Sequence, residues 1–248
     1  MVVEVNGIDL HYDVVGEGEP LLWLHGGMGH GADWQHVFKE QPPGYRLIAP
    51  DLRGHGRSTG ESAVYSFRQS ALDVLALLDQ RQIERVKVIG LSGGGITALH
   101  MATIQPARVA ALVAISAPAA FPERAKAIQR SFSEAMLSEA ERARMRERHA
   151  RPGQLDALIA QTRALADGDD PNFTREQLGS ITADTLIVFG DRDFLYPVSI
   201  AFDLHAAIPG SYLWVVPNGG HGPVFGEAAP RFVDTTLPFL RGDWRRAP

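Results

Sequence analysis

Ser92 lies within Gly90-Leu91-Ser92-Gly93-Gly94, a G-x-S-x-G string that closes the apolar run from Val86 and is followed by Ile96, Leu99 and Thr103 at helical spacing. A serine on such a strand-to-helix bend exposes its hydroxyl, and the small residues beside it let the backbone turn tightly and approach a substrate. Ser92 is therefore a candidate nucleophile. Because a serine hydroxyl is a weak nucleophile at neutral pH, the chemistry also requires a base, usually histidine, and an acid that orients the base. Both lie downstream. The run Thr185 to Phe189 reads as a buried strand and opens into Gly190-Asp191-Arg192-Asp193-Phe194-Leu195-Tyr196-Pro197, a loop with two carboxylates. The run Tyr212 to Val216 reads as a last strand and leads into Pro217-Asn218-Gly219-Gly220-His221-Gly222-Pro223. The chain order is thus Ser92, then Asp193 or Asp191, then His221, which suits acyl transfer through a serine.

These residues need a rigid frame, and the surrounding pattern supplies one. Val2 to Val5 and Ile8 to Val15, joined by Asn6-Gly7, read as a hairpin, because that dipeptide tolerates the positive φ angles of a two-residue turn. Leu21 to Leu24, Arg46 to Ala49, Val86 to Ile89, Val109 to Ser116, Leu186 to Phe189 and Tyr212 to Val216 read as further strands. Helical spacing falls between them, near Phe67 to Gln82, after Ser92, at Ile200 to Ile208 and at Arg231 to Leu240. The alternation predicts an α/β protein with a mostly parallel, eight-stranded sheet covered on both faces. Residues 119–178 break it. They are rich in Ala, Glu and Arg, with Ile128, Phe132, Met136, Leu155, Leu158, Ile159 and Leu165 at helical spacing.

Two more motifs precede the serine: Leu24-His25-Gly26-Gly27-Met28-Gly29 and Asp51-Leu52-Arg53-Gly54-His55-Gly56-Arg57-Ser58. With the elbow and the two downstream loops they make the chain similar to the α/β-hydrolase family over nearly its whole length. The resemblance implies an α/β-hydrolase core at residues 1–118 and 179–248, with a helical cap inserted after the sixth strand at 119–178. It implies that the backbone N–H groups of Gly27 and Gly93 face a developing oxyanion, and it favours Asp193 over Asp191 as the orienting acid. His25 and His55 are expected to brace their own loops. Met28, Trp34, Leu91, Phe121, Phe132, Met136, Leu137, Leu195, Tyr196 and Val224 are candidates to line the pocket. A serine at the elbow separates the chain from the dehalogenases and epoxide hydrolases of this fold, which carry aspartate there. The expected activity is hydrolysis of a small to medium carboxylic ester. The same triad also serves lactone opening, C–C bond hydrolysis and perhydrolysis, and a receptor of this fold would bind a ligand with negligible turnover.

Bulk properties agree with one catalytic domain. The chain has 248 residues, 45% hydrophobic and 21% charged, with a net charge of −5 and no cysteine. That balance excludes disulfides and a thiol nucleophile and gives no support to nucleic-acid binding. The N-terminal residues lack the pattern of a secretory signal, and no apolar run approaches a membrane span, so a cytoplasmic protein with no membrane partner is expected. Gly16-Glu17-Gly18 lacks the third glycine of a dinucleotide loop and the nine histidines do not fall at metal-ligand spacing, so neither cofactor nor metal is expected. Arg142, Arg144, Arg146, Arg148 and Arg151, interspersed with glutamates, read as a solvated helix face. The expected partner is a small-molecule ester, and nothing indicates an oligomeric state.

Overall fold

The computed structural model describes residues 1–60 and 65–244; residues 61–64 and 245–248, which the sequence assigns to the core, lie outside the described residues. Eight strands form one sheet: β1 (Val2–Val5), β2 (Ile8–Val15), β3 (Glu19–Leu24), β4 (Tyr45–Pro50), β5 (Val86–Leu91), β6 (Val109–Ile115), β7 (Asp184–Gly190) and β8 (Tyr212–Val216), in the order β1-β2-β4-β3-β5-β6-β7-β8. β1 and β2 form the expected hairpin, with Asn6 and Gly7 at φ 45° and 76°. β2 runs antiparallel to β4, and every later pairing is parallel.

The parallel strands read as continuous apolar runs because both of their faces are covered. In β3, Leu22 and Leu24 enter one core while Leu21 and Trp23 enter the other. The same alternation sends Ile187 and Phe189 of β7 to the first core and Leu186 and Val188 to the second. Helices α1 (Phe67–Gln80), α2 (Gly93–Ile104) and α7 (Ser199–Ala207) contribute to the first core. Helix α8 (Ala229–Arg241) and a 3-10 turn at Gly31–His36, absent from the sequence expectations, contribute to the second. Between β6 and β7 the chain forms helices, α3 (Glu123–Ser131), α4 (Glu139–Arg148), α5 (Gln154–Ala164) and α6 (Arg175–Gly179), with short 3-10 turns and one isolated antiparallel bridge between Ala120 and Asn172.

Because β3, β5, β7 and β8 run parallel, the loops that follow them emerge at one end of the sheet, the usual place for a ligand in such architectures. Those loops carry Gly27, Ser92, Asp193 and His221. Among the described residues no helix is long and apolar enough to cross a membrane.

Candidate active site

Ser92 sits between β5 and α2 with φ 50° and ψ −115°, a conformation that costs a non-glycine residue strain and persists only where its surroundings impose it. Here they do. The Ser92 N–H donates to the Ile115 carbonyl of β6 at 2.7 Å, and the helix begins at once with Ile96 N–H donating to the Ser92 carbonyl at 2.9 Å. The flanking glycines are required by close approach: a Cβ on Gly90 would lie 2.5 Å from the Gly94 oxygen, and one on Gly94 would lie 2.1 Å from the Leu24 oxygen.

The bend aims the hydroxyl at the histidine loop. His221 Nε2 lies 2.9 Å from Ser92 Oγ, and its Nδ1 lies 2.9 Å from Asp193 Oδ2. The other carboxylate oxygen of Asp193 accepts from the Leu195 and Tyr196 N–H groups at 2.8 and 3.1 Å. Burial pushes this carboxyl up, but the bonds from His221 and the two backbone N–H groups outweigh it and hold the group below its ordinary value. An anionic Asp193 keeps a proton on Nδ1 and so leaves Nε2 free to accept one. Asp191 is exposed, and the nearest charge to its carboxylate is Arg192 at 4.0 Å. Of the two loop carboxylates, Asp193 is the one the structure places against His221.

Gly93 opens α2, where the first N–H groups have no intrahelical acceptor, and neither its N–H nor that of Gly27 is used in a loop or cap hydrogen bond. The two are neighbours, for a Cβ on Gly93 would stand 3.5 Å from the Gly27 nitrogen. Two adjacent free donors beside a serine hydroxyl can stabilise negative charge on an oxygen bound between them. Tyr196 completes the surroundings: its ring centroid is 5.2 Å from that of His221, and its hydroxyl lies beside that of Ser92. Burial, with the Asp193 charge, pushes its phenol up, so it remains a protonated donor.

A cavity of about 240 Å³ opens over Ser92, Gly27, Gly93 and His221. Met28, Phe121, Phe132, Leu195 and Tyr196 line it, as the sequence suggests. Trp34, Leu91, Met136, Leu137 and Val224 do not, which corrects those expectations. Trp34 and Val224 are buried in the core on the opposite face of the sheet, and Leu91 packs against that core because its side chain alternates away from Ser92. Met136 is 54% exposed, on a 3-10 turn beyond α3. Phe67, Phe194, Ile128, Gln129, Leu158 and Thr162 line the cavity without having been singled out for it. The last four belong to α3 and α5, so the helical insertion contributes part of the wall.

The preceding loops are braced from within. His25 Nδ1 donates to the Gly26 carbonyl at 2.8 Å while its Nε2 accepts from Leu52 N–H at 2.9 Å, and His55 bonds the Arg53 carbonyl at 3.0 Å. Asp51 accepts from the Gly31 and Arg57 N–H groups and from Arg57 Nε at 2.7, 2.9 and 2.8 Å. His149, just past α4, carries no sequence signal yet joins both loops. Its Nδ1 accepts from Gly56 N–H at 3.0 Å and its Nε2 lies 3.1 Å from the Met28 carbonyl, to which it donates. Met28 also packs against Leu155, Leu158 and Ile159 of α5. Of the arginines of this region, Arg146 pairs with Glu134, Arg148 lies 3.1 Å from Asp33, and Arg151 bonds the Gly56 and Ser58 carbonyls. Among the described residues no three His, Cys, Asp or Glu side chains converge to hold a metal ion.

The rings of His25, His55 and His149 follow one another, the first pair tilted and the second edge-on, with centroids 5.1 and 5.8 Å apart. Burial lowers the pKa of all three, that of His149 to about 4 despite its bond to Met28. An unfolded chain takes up the His149 proton near pH 6.5, whereas the native state does so only near pH 4, so stability present above 6.5 is lost as the pH falls. At about 1.4 kcal/mol per unit, His149 alone accounts for about 2 kcal/mol between pH 7 and pH 5. Urea unfolding at those two pH values is expected to show at least this loss, and a smaller one for His149→Asn. An equal pH dependence in the two proteins would contradict a buried neutral His149.

Residues 19–152, more than half of the chain, match the family model of the alpha/beta hydrolase fold. The chain is 33% identical to a putative carbamate hydrolase RutD from Variovorax paradoxus over 93% of its own length and 96% of that protein. It is 31% identical to the serine hydrolase BPHL of Mus musculus, over 88% of this chain and 79% of that one. Among solved structures, the esterase EaEST from Exiguobacterium antarcticum superposes with a TM-score of 0.77 at 25% identity, covering 96% of this chain and 97% of the other. The protein belongs to the alpha/beta hydrolase fold family. These similarities support a hydrolase activity.

Proposed function

We infer that the protein hydrolyses carboxylic esters of small to medium size through an acyl-enzyme on Ser92. The observation that carries this reading is the continuous chain Ser92 Oγ, His221 Nε2, His221 Nδ1, Asp193 Oδ2, with both links at 2.9 Å. Ser92 Oγ adds to the ester carbonyl carbon as its proton passes to His221 Nε2, and the π electrons move to the carbonyl oxygen. That oxygen is held by the N–H groups of Gly27 and Gly93, each such donor being worth about 10²- to 10³-fold in rate. Collapse of the intermediate expels the alcohol, protonated by His221. Water then enters, gives its proton to His221 and adds to the acyl carbon, and the acid leaves as Ser92 regains its proton. Asp193 stays ionised and stabilises the imidazolium at each stage. The free space over Ser92, about 240 Å³, suits a substrate of this size. In this reading residues 119–178 cap the site.

The test is a series of p-nitrophenyl esters of increasing acyl length, assayed beside lactones and vinylogous diketones. Steady turnover of the esters, many equivalents per enzyme, is expected. Release of a single equivalent followed by silence would instead mark a binding protein, and turnover confined to the lactones or diketones would reassign the reaction.

A further inference from the structure

Phe194 carries a large apolar side chain that the fold does not use. It is 52% exposed and belongs to none of the apolar clusters of the core, whereas its neighbour Leu195 packs against one of them. The loop is fixed by other groups, with the Asp193 carboxylate accepting from the Leu195 and Tyr196 N–H groups. A single phenyl exposed on a protein surface needs no explanation. This one, however, lines the cavity over Ser92, and among the described residues the ring it meets is that of His221: the centroids are 6.0 Å apart and the rings stand edge-on, at 66°.

Proton transfer decides which part of an ester meets that ring. His221 delivers its proton to the leaving-group oxygen, so this oxygen must come within hydrogen-bond reach of Nε2, and the group it carries extends beside the His221 ring, where Phe194 lies. None of the described lining residues is Asp, Glu, Lys or Arg, so a charged alcohol finds no counter-ion in the wall. An aromatic ring laid against Phe194 removes exposed apolar surface of both and gains the edge or offset geometry that a flexible alkyl chain lacks. We propose that Phe194 is a specificity-determining residue on the leaving-group side, and that the preferred esters are those of uncharged arylmethyl alcohols, whose ring packs on Phe194 as the ester oxygen reaches His221. The placing of that ring on the alcohol rests on the ester-hydrolase reading above; contact between a bound ring and Phe194 does not.

The experiment compares benzyl, n-butyl and trimethylammonioethyl butyrates by pH-stat titration. All three form the same acyl-enzyme, so kcat/KM reads the acylation step in which the alcohol leaves. Wild-type protein is expected to favour the benzyl over the n-butyl ester in kcat/KM by about tenfold or more, Phe194→Trp to keep that preference, and Phe194→Ala to bring the ratio close to one. With benzyl alcohol held constant, the relative rates on acetate, butyrate and hexanoate should be the same in wild-type and Phe194→Ala protein. Steady ester turnover with a benzyl-to-butyl ratio near one, or a ratio unmoved by Phe194→Ala, would overturn the proposal and uphold the esterase. So would an acyl-length profile that Phe194→Ala reshapes, which would put Phe194 on the acyl side, or a preference for the trimethylammonioethyl ester, which would make the rings a cation site. Benzyl and n-butyl butyrate are also titrated calorimetrically into Ser92→Ala protein with and without Phe194→Ala, which reads recognition without turnover. Ring-selective binding that depends on Phe194, found together with no turnover of any ester by wild-type protein, would sink the ester-hydrolase reading and uphold the contact. No turnover and no selective binding would sink both.

Discussion

Ser92→Ala is expected to lower ester turnover by about 10⁴-fold or more while the protein still folds, since without the nucleophile only binding and the oxyanion donors remain. The backbone bond from Ser92 N–H to Ile115 is kept in this variant, and the strained φ is as costly for alanine as for serine, so unfolding by urea should change little. A fluorophosphonate applied to the wild-type protein should add its mass to Ser92 and to no other serine. Two others make informative controls. Ser116 is fully buried, with an Oγ that has no partner, and the Ser58 hydroxyl is committed to the Asp51 carbonyl at 2.6 Å. Neither has a histidine to take its proton. Label on either one, or an alanine variant that keeps a tenth of the wild-type rate, would remove Ser92 from its role.

Asp193→Asn should be nearly as damaging, for a different reason. Asp193 accepts on both oxygens, from His221 on one side and from the Leu195 and Tyr196 N–H groups on the other. An asparagine can accept on one side only. If its oxygen stays with the loop N–H groups, its NH₂ faces Nδ1, and the imidazole shifts its proton to Nε2, where it can no longer take one from Ser92. The corresponding change in the Ser-His-Asp triad lowers kcat by about 10⁴, and a loss of that order is expected here. Asp191→Asn is the control. An exposed carboxylate 4.0 Å from Arg192 interacts through high dielectric, so its removal should alter the rate by less than about threefold. Assaying both variants on one ester, after circular dichroism shows them folded, separates the two. An inactive Asp191→Asn beside an active Asp193→Asn would mean that the loop geometry is wrong by two residues.

Much of the sheet was legible because the signal is periodic and redundant. A strand buried on both faces must be apolar at consecutive positions, so Leu186 to Val188 could hardly be anything else, and Asn6-Gly7 has few conformations available. The loop motifs were legible for a related reason: Gly90 and Gly94 are demanded by the backbone atoms they touch, and such demands are written in residue type. The cavity wall was not. Val224 is three residues from His221 in the chain but points into the far core, and Leu91 adjoins Ser92 yet faces away from it, since proximity in sequence says nothing about which side of a strand a side chain takes. Gln129 on α3 and His149 just past α4 carried no mark at all, being single polar residues whose packing partners lie far along the chain. Met136 shows the reverse error: an apolar residue at helical spacing that ended in solvent.

The link that His149 makes has a consequence for transplanting parts between relatives. The helical insertion enters and leaves the sheet at neighbouring strands, which invites its treatment as an interchangeable module. Yet one imidazole past α4 holds the Gly56 N–H and the Met28 carbonyl together, and α5 supplies the apolar floor under Met28. The loop bearing Gly27 is therefore shaped partly by residues more than a hundred positions away. A chimera that exchanged residues 119–178 for a foreign segment would inherit a reaction centre with one side unsupported, unless the donor brought its own bridge to residues 28 and 56. The graftable unit is thus the insertion together with the two loops it clasps.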